Sequence, residues 1–158
     1  MDNGLIHEPF PVSINMVEPL VECVPNFSEG KNVEIINAIT NAMIEVEGVT
    51  LLDVDMGADF NRTVVTIVGP PLSVLEAAIV GTEVALSLID MSTHSGEHAR
   101  MGAVDVVPFI PIRDVTMEEC VQLAIQYAEE VSSRFDLPIY LYAKAARKSD
   151  RIRLPDIR

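Results

Sequence analysis

Hydrophobic positions along this chain recur at two periods, one near 2 and one near 3.6, and the switches between them mark the elements. Leu20–Phe27 is the first run with strand character, and Pro25 within it places its end near a sheet edge. Ser28-Glu29-Gly30 turns the chain into a segment where Val33, Ile36, Ile39, Ala42, Met43 and Val46 recur at helical spacing. Gly48 closes that helix. Val49–Asp55 and Arg62–Val68 are short β-branched runs, and Met56–Asn61 between them, rich in Gly, Asp and Asn, predicts a hairpin with a longer loop. Gly69-Pro70-Pro71 ends the second run, and its prolines suit the first turn of a helix. Leu72–Ile89 follows as that helix, apolar almost all round and therefore expected to be deeply packed.

Val104–Ile112 predicts a strand whose Pro108 and Pro111 put it at an edge or give it a bulge. Thr116-Met117-Glu118-Glu119 has the form of a capping box and opens a helix to about Phe135. Asp136-Leu137-Pro138 ends that helix, and Ile139–Ala143 predicts a last strand. The order is β-α-β-β-α-β, then α-β. Its first six elements form the split unit of ferredoxin-like α+β folds, a mostly antiparallel sheet with helices on one face. The strands are apolar at adjacent positions, not only alternate ones, so the second face also calls for cover. A second domain or a second copy of the chain would supply it.

Residues 1–15 hold two prolines and no periodicity and read as a mobile extension; 16–158 read as one folded unit, with Met16 a candidate start. A chain of 158 residues, 49% hydrophobic, is long enough to bury a core as one domain. No apolar run reads as long and uninterrupted enough to span a bilayer. The opening residues lack the basic start of a secretory signal, which points to a cytoplasmic protein. Cys23 and Cys120 sit in apolar surroundings and are expected as buried, reduced thiols without a catalytic base beside them. A formal net charge of -13 argues against nucleic acid and anionic membrane as partners. The charge is uneven, however. Residues 1–143 carry 5 basic against 22 acidic side chains, whereas 144–158 carry six basic against two acidic. Such a tail fits a solvated end, a linker, or a landing place for a polyanion.

Polar chemistry gathers between the Leu72–Ile89 helix and the Val104–Ile112 strand, where His94 and His98 lie in a Ser/Gly-punctuated loop. The spelling His94-Ser95-Gly96-Glu97-His98 matches the H-x-x-E-H pattern of inverted zinc peptidases. That pattern works only on a continuous helix, which Ser95-Gly96 and Gly102 disfavour, so no metal is expected. A loop histidine that merely caps the backbone is the plain reading. The sharper one is a general acid–base, since an imidazole takes and returns a proton near neutrality. Glu97 and Asp105 lie close enough in sequence to orient it. A second polar cluster, Asp53, Asp55, Asp59, Asn61 and Arg62, surrounds the hairpin turn. Most of it is ordinary turn chemistry, but Asp55 and Arg62 end and begin paired strands and so point from a fixed frame.

Longer strings say more than these patterns. Val21-Glu22-Cys23-Val24-Pro25-Asn26-Phe27-Ser28-Glu29-Gly30 resembles the opening of the formiminotransferase family. Leu51-Leu52-Asp53-Val54-Asp55, Asn61-Arg62-Thr63-Val64, Val68-Gly69-Pro70-Pro71, Ile89-Asp90-Met91-Ser92 and Gly96-Glu97-His98-Ala99-Arg100-Met101-Gly102-Ala103 through Pro111 follow in the family's order. The likeness runs from about Leu20 to Arg158. It implies transfer of the formimino group from N-formimino-L-glutamate to N5 of the co-substrate tetrahydrofolate, with the histidine of Gly-Glu-His, here His98, as acid–base. His94 falls on a less regular position. On the same resemblance the transferase unit has two α/β subdomains with folate between them, and this chain corresponds to the first alone. It would then need a homodimer partner or a separate second-subdomain chain, or be a non-catalytic folate-binding or interaction module. The formimino group is an amidine, cationic when protonated, so Asp55, Glu97 and Asp105 are candidates to face it. Arg62 and Arg100 are candidates to fork the carboxylates of glutamate or the folate tail. Asn26 and Asn61 join this set as candidate substrate or folate contacts.

Overall fold

The computed structural model describes residues 17–158, so the extension expected over 1–15 lies outside the described residues. Its elements are β1 (Leu20–Cys23), β2 (Asn26–Phe27), α1 (Val33–Ile44), β3 (Thr50–Gly57), β4 (Arg62–Gly69), α2 (Pro71–Leu88), β5 (Val104–Val106), β6 (Phe109–Arg113) and α3 (Met117–Phe135). All sheet pairings are antiparallel. β4 carries β3 on one side and β1 and β2, end to end, on the other; β6 and β5 flank β1 and β2 in turn. Taken as four long strands this is the order of a split β-α-β unit. The α+β expectation therefore holds.

Inward positions alternate along β1 and β4, as a sheet with one covered face requires. Val21 and Cys23 on β1 and Thr63, Val65 and Ile67 on β4 are fully buried under the helices. Val64, Thr66 and Val68 face the opposite side and are only half-buried, and Ile112 there is 53% exposed. The apolar outward positions read from the sequence thus lie open on this chain.

Helix α1 begins at Asn32, whose side chain accepts from the backbone N–H groups of Glu34 and Ile35. Helix α2 packs between α1 and α3, which is why it is apolar all round. By length and composition α2 could cross a bilayer, contrary to the sequence expectation, but eight of its residues from Val74 to Ala85 are buried in the core. Its buried Thr82 meets Tyr127 of α3 at 2.6 Å. Thr82 donates its single hydroxyl proton to the Ala78 carbonyl at 2.8 Å, so Tyr127 is the donor in the pair.

Burial pushes the Tyr127 phenol well above its ordinary value. The folded chain therefore holds a proton that the unfolded chain releases near pH 10. Stability from this group is complete below that pH and is lost as pH rises through the higher folded value. Urea midpoints should fall above about pH 10, and Tyr127→Phe should flatten that fall. An equal fall in the variant would show that other groups cause it.

Two expectations need correction. Pro25 does not mark an edge: it sits at the break between β1 and β2, inside the sheet. Pro108 breaks the neighbouring strand one position away, opposite Val24. Val24 N–H donates to the Pro108 carbonyl at 3.2 Å and Val65 N–H to the Pro25 carbonyl at 3.0 Å. Both prolines thus act as ladder acceptors but cannot donate back, and the Val24 carbonyl that Pro108 leaves without a ladder N–H accepts instead from Asn26 Nδ2 at 2.9 Å. The predicted last strand over Ile139–Ala143 does not form. Leu137, Ile139 and Leu141 are half-buried in alternation with exposed Asp136, Pro138 and Tyr140, which gave the strand signal. A cavity of about 520 Å³ separates this segment from the β5–β6 edge, so it packs without a ladder.

Cys23 and Cys120 are both buried free thiols. Desolvation raises both above the usual thiol range, which leaves little thiolate for reaction.

Candidate active site

The tip of the β3–β4 hairpin, the turn after β2 and the loop from His94 to Ala103 meet at one end of the sheet. Asn61 is the hub. It is buried and takes the left-handed conformation, φ 48°, which asparagine tolerates better than most residues. Its Oδ1 accepts from Gly30 N–H at 2.9 Å, its Nδ2 donates to the Ser95 carbonyl at 3.0 Å, and its own carbonyl meets His94 Nε2 at 3.1 Å. One side chain therefore ties three segments together.

The glycines of these strings are needed for close approach. A Cβ on Gly30 would stand 2.4 Å from the Gly57 carbonyl oxygen and 2.5 Å from Arg62 N; one on Gly96 would stand 2.4 Å from the Phe60 carbonyl oxygen. Ser28 pins the far end of the loop, donating from Oγ to the Gly102 carbonyl at 2.7 Å and from N to the Ala103 carbonyl at 2.8 Å. At the near end Asp90 accepts from the hydroxyl and then the backbone N–H of Ser92, which hold its carboxyl below the usual range.

On this frame His98 is half-buried, with its ring edge-to-face against Phe60 at 6.2 Å between centroids. Its Nδ1 lies 2.6 Å from the Ala99 carbonyl. A carbonyl only accepts, so Nδ1 carries the proton and Nε2 of the neutral ring keeps a lone pair. No protein group among the described residues bonds Nε2. His94 is the opposite case: Nε2–H donates to Asn61, and Nδ1 is buried with no partner among the described residues. It is a docking residue. The segment after the short turn Met91–Thr93 is irregular, so the helix that H-x-x-E-H chemistry needs is not formed.

Asp105 does not orient His98, as its place in the sequence had suggested; the Ala99 carbonyl does. The Asp105 carboxylate, 1% exposed, is an ion-pair centre. Oδ1 accepts from Met101 N–H at 2.9 Å, while Oδ2 pairs with both Arg62 and Arg158. Arg62 Nε donates to Asn26 Oδ1 at 2.9 Å, and Asn26 Nδ2 donates to the Val24 carbonyl at 2.9 Å. Asn26, Arg62 and Asp105 are thus brought together, with a net positive charge once Arg158 is counted. Asp55 lies on β3 opposite Val64, on the open face, and is exposed. Glu97 is exposed at the loop tip, its N–H directed to the Asp59 carbonyl at 3.4 Å. Arg100 turns inward onto backbone carbonyls. Arg158 escaped the sequence reading because it lies 53 residues from Asp105, with no local pattern to signal the contact.

The matching family model is the formiminotransferase domain, N-terminal subdomain, over residues 20–158. The chain is 54% identical over 139 residues to the formimidoyltransferase-cyclodeaminase of Sus scrofa, which covers 88% of this chain and 26% of that protein. It is 46% identical over 139 residues to the glutamate formimidoyltransferase of Thermoplasma acidophilum, covering 88% of this chain and 46% of that one. A formiminotransferase cyclodeaminase-like protein of Arabidopsis thaliana is 27% identical over 131 residues, 80% of this chain and 44% of that one. The chain therefore spans between about a quarter and about half of the length of these curated relatives.

Proposed function

The chain belongs to the formiminotransferase family as its N-terminal subdomain, and from that premise we propose that it supplies the acid–base half of a formimino-transfer site. The donor is N-formimino-L-glutamate and the acceptor is N5 of tetrahydrofolate. The observation that carries this reading is the set of His98: Nδ1–H is held by the Ala99 carbonyl, and Nε2 is left with a lone pair on a clamped loop.

The chemistry needs one proton moved twice. Folate N5 attacks the formimino carbon, a C–N bond forms, and His98 Nε2 takes the N5 proton. The imidazolium then returns that proton to the glutamate nitrogen of the tetrahedral intermediate. The second C–N bond breaks, and glutamate leaves as the amine. On this reading Asp55 and Glu97, both exposed, are the carboxylates that face the cationic amidine. Asn26, Asn61, Arg62 and Asp105 hold the floor beneath the loop. The open sheet face, with Val64, Val68 and Ile112, is where a second subdomain or a second copy of this chain would complete the folate pocket.

The test is glutamate release from N-formimino-L-glutamate with tetrahydrofolate, run on the chain alone and on the chain mixed with a separately made second subdomain. Release that appears or rises strongly on mixing supports the reading. Folate binding without release under either condition would instead make the chain a non-catalytic module.

A further inference from the structure

Arg100 follows the histidine by two residues, and from charge alone it is a candidate to bind a substrate carboxylate. Its guanidinium lies elsewhere. Nη1 donates to the carbonyl oxygens of Gly96 and His98, each at 2.9 Å, and Nη2 to that of His94 at 3.3 Å. Three carbonyls of one irregular loop converge on one planar cation. Such a loop has no ladder to satisfy its carbonyls, and a guanidinium presents several donors in a fixed fork.

We propose that Arg100 is a positioning residue, which sets the path of the His94–Ala99 loop and hence the direction in which His98 presents Nε2, and that it does not hold a substrate carboxylate. This rests on the reading of His98 as the acid–base. Other restraints pin the loop on either side of the histidine: Asn61 at Ser95, Asp105 at Met101 N–H, Ser28 at Gly102. Among the described residues Arg100 alone bonds the carbonyl of His98 itself. Nη1 spends both of its protons on carbonyls, so the end-on fork that would grip a carboxylate is gone.

Arg100→Met keeps the apolar stem and removes the donors. In the 158-residue chain, the His98 ring resonances should shift and broaden in this variant, while the methyl signals of Val65, Ile67 and Val74 stay in place. Arg100→Lys, with three rotatable donors, should restore the ring signal in part. In the chain completed by a second subdomain, Arg100→Met should lower kcat by about 10²-fold, as misplacement of a catalytic group does, with KM for both substrates little changed. An unmoved His98 ring signal, or a raised KM for N-formimino-L-glutamate with kcat retained, would overturn the proposal. Absence of turnover in the completed wild-type protein would count against formimino transfer alone, because the ring signals decide the role of Arg100 without it.

Discussion

Replacing His98 by Asn should lower glutamate release by about 10²–10⁴-fold in the protein completed by a second subdomain, the range a positioned proton carrier contributes. Asn is the informative choice because its amide nitrogen stands roughly where Nδ1 does and can keep the bond to the Ala99 carbonyl. The loop should therefore stay docked, with Gly96 against Phe60 and Arg100 on its three carbonyls. Only the nitrogen proposed to take and return the proton is lost. The loss should appear in kcat, with KM for both substrates nearly unchanged, because in the proposed mechanism the ring acts on the reacting nitrogens and binds neither substrate tail. His94→Asn is the control. It disturbs docking at Asn61 and should cost stability, yet leave the folded fraction active. If His98→Asn turned over at close to the wild-type rate while His94→Asn did not, the roles assigned to the two histidines would have to be exchanged.

The fold was legible where one element decides its own pattern. The 3.6-residue period of Val33–Val46, the capping box at Thr116 and the β-branched runs of the hairpin each named an element that the structure contains. Two features escaped because they depend on a partner strand. Pro25 lies inside the sheet, its carbonyl accepting from Val65 while Pro108 breaks the next strand opposite Val24, an arrangement no local rule foresees. The alternation of Leu137, Ile139 and Leu141 is real, but burial against α3 and the cavity wall produces it as readily as a ladder would. The site divides in the same way. His98 stood out by residue type and by the string around it. What Asn61 and Arg100 do could not be read, since both side chains are spent on backbone groups that only the folded loop brings near. Charge suggested ligand contacts for Arg62 and Asp105, whereas their strongest partners are each other. A signature string in a loop is thus as much a docking code as a list of groups facing substrate.

That pairing carries the second large effect, on stability. Asp105→Ala should destabilise the chain by about 3–5 kcal/mol, the usual cost of removing one partner from a buried ion pair. The carboxylate is 1% exposed and pairs with two guanidinium groups, whose side chains are 12% and 18% exposed for Arg62 and Arg158. The two will not respond alike. Arg158 lies beyond the last short turn, Leu154–Asp156, and can swing its head into water. Arg62 begins β4 and is tied to Asn26, so it must stay near the floor of the site with its counter-charge gone. A second substitution should therefore rescue selectively. Arg62→Leu on top of Asp105→Ala should recover most of the loss in urea unfolding, because no buried charge is then left unpaired. Arg158→Leu in the same background should recover little. Equal recovery from either would mean that the two cations share one environment. No recovery from either would mean that the Asp105 bond to Met101 N–H, which anchors the loop beyond His98, matters more than the charge it neutralises.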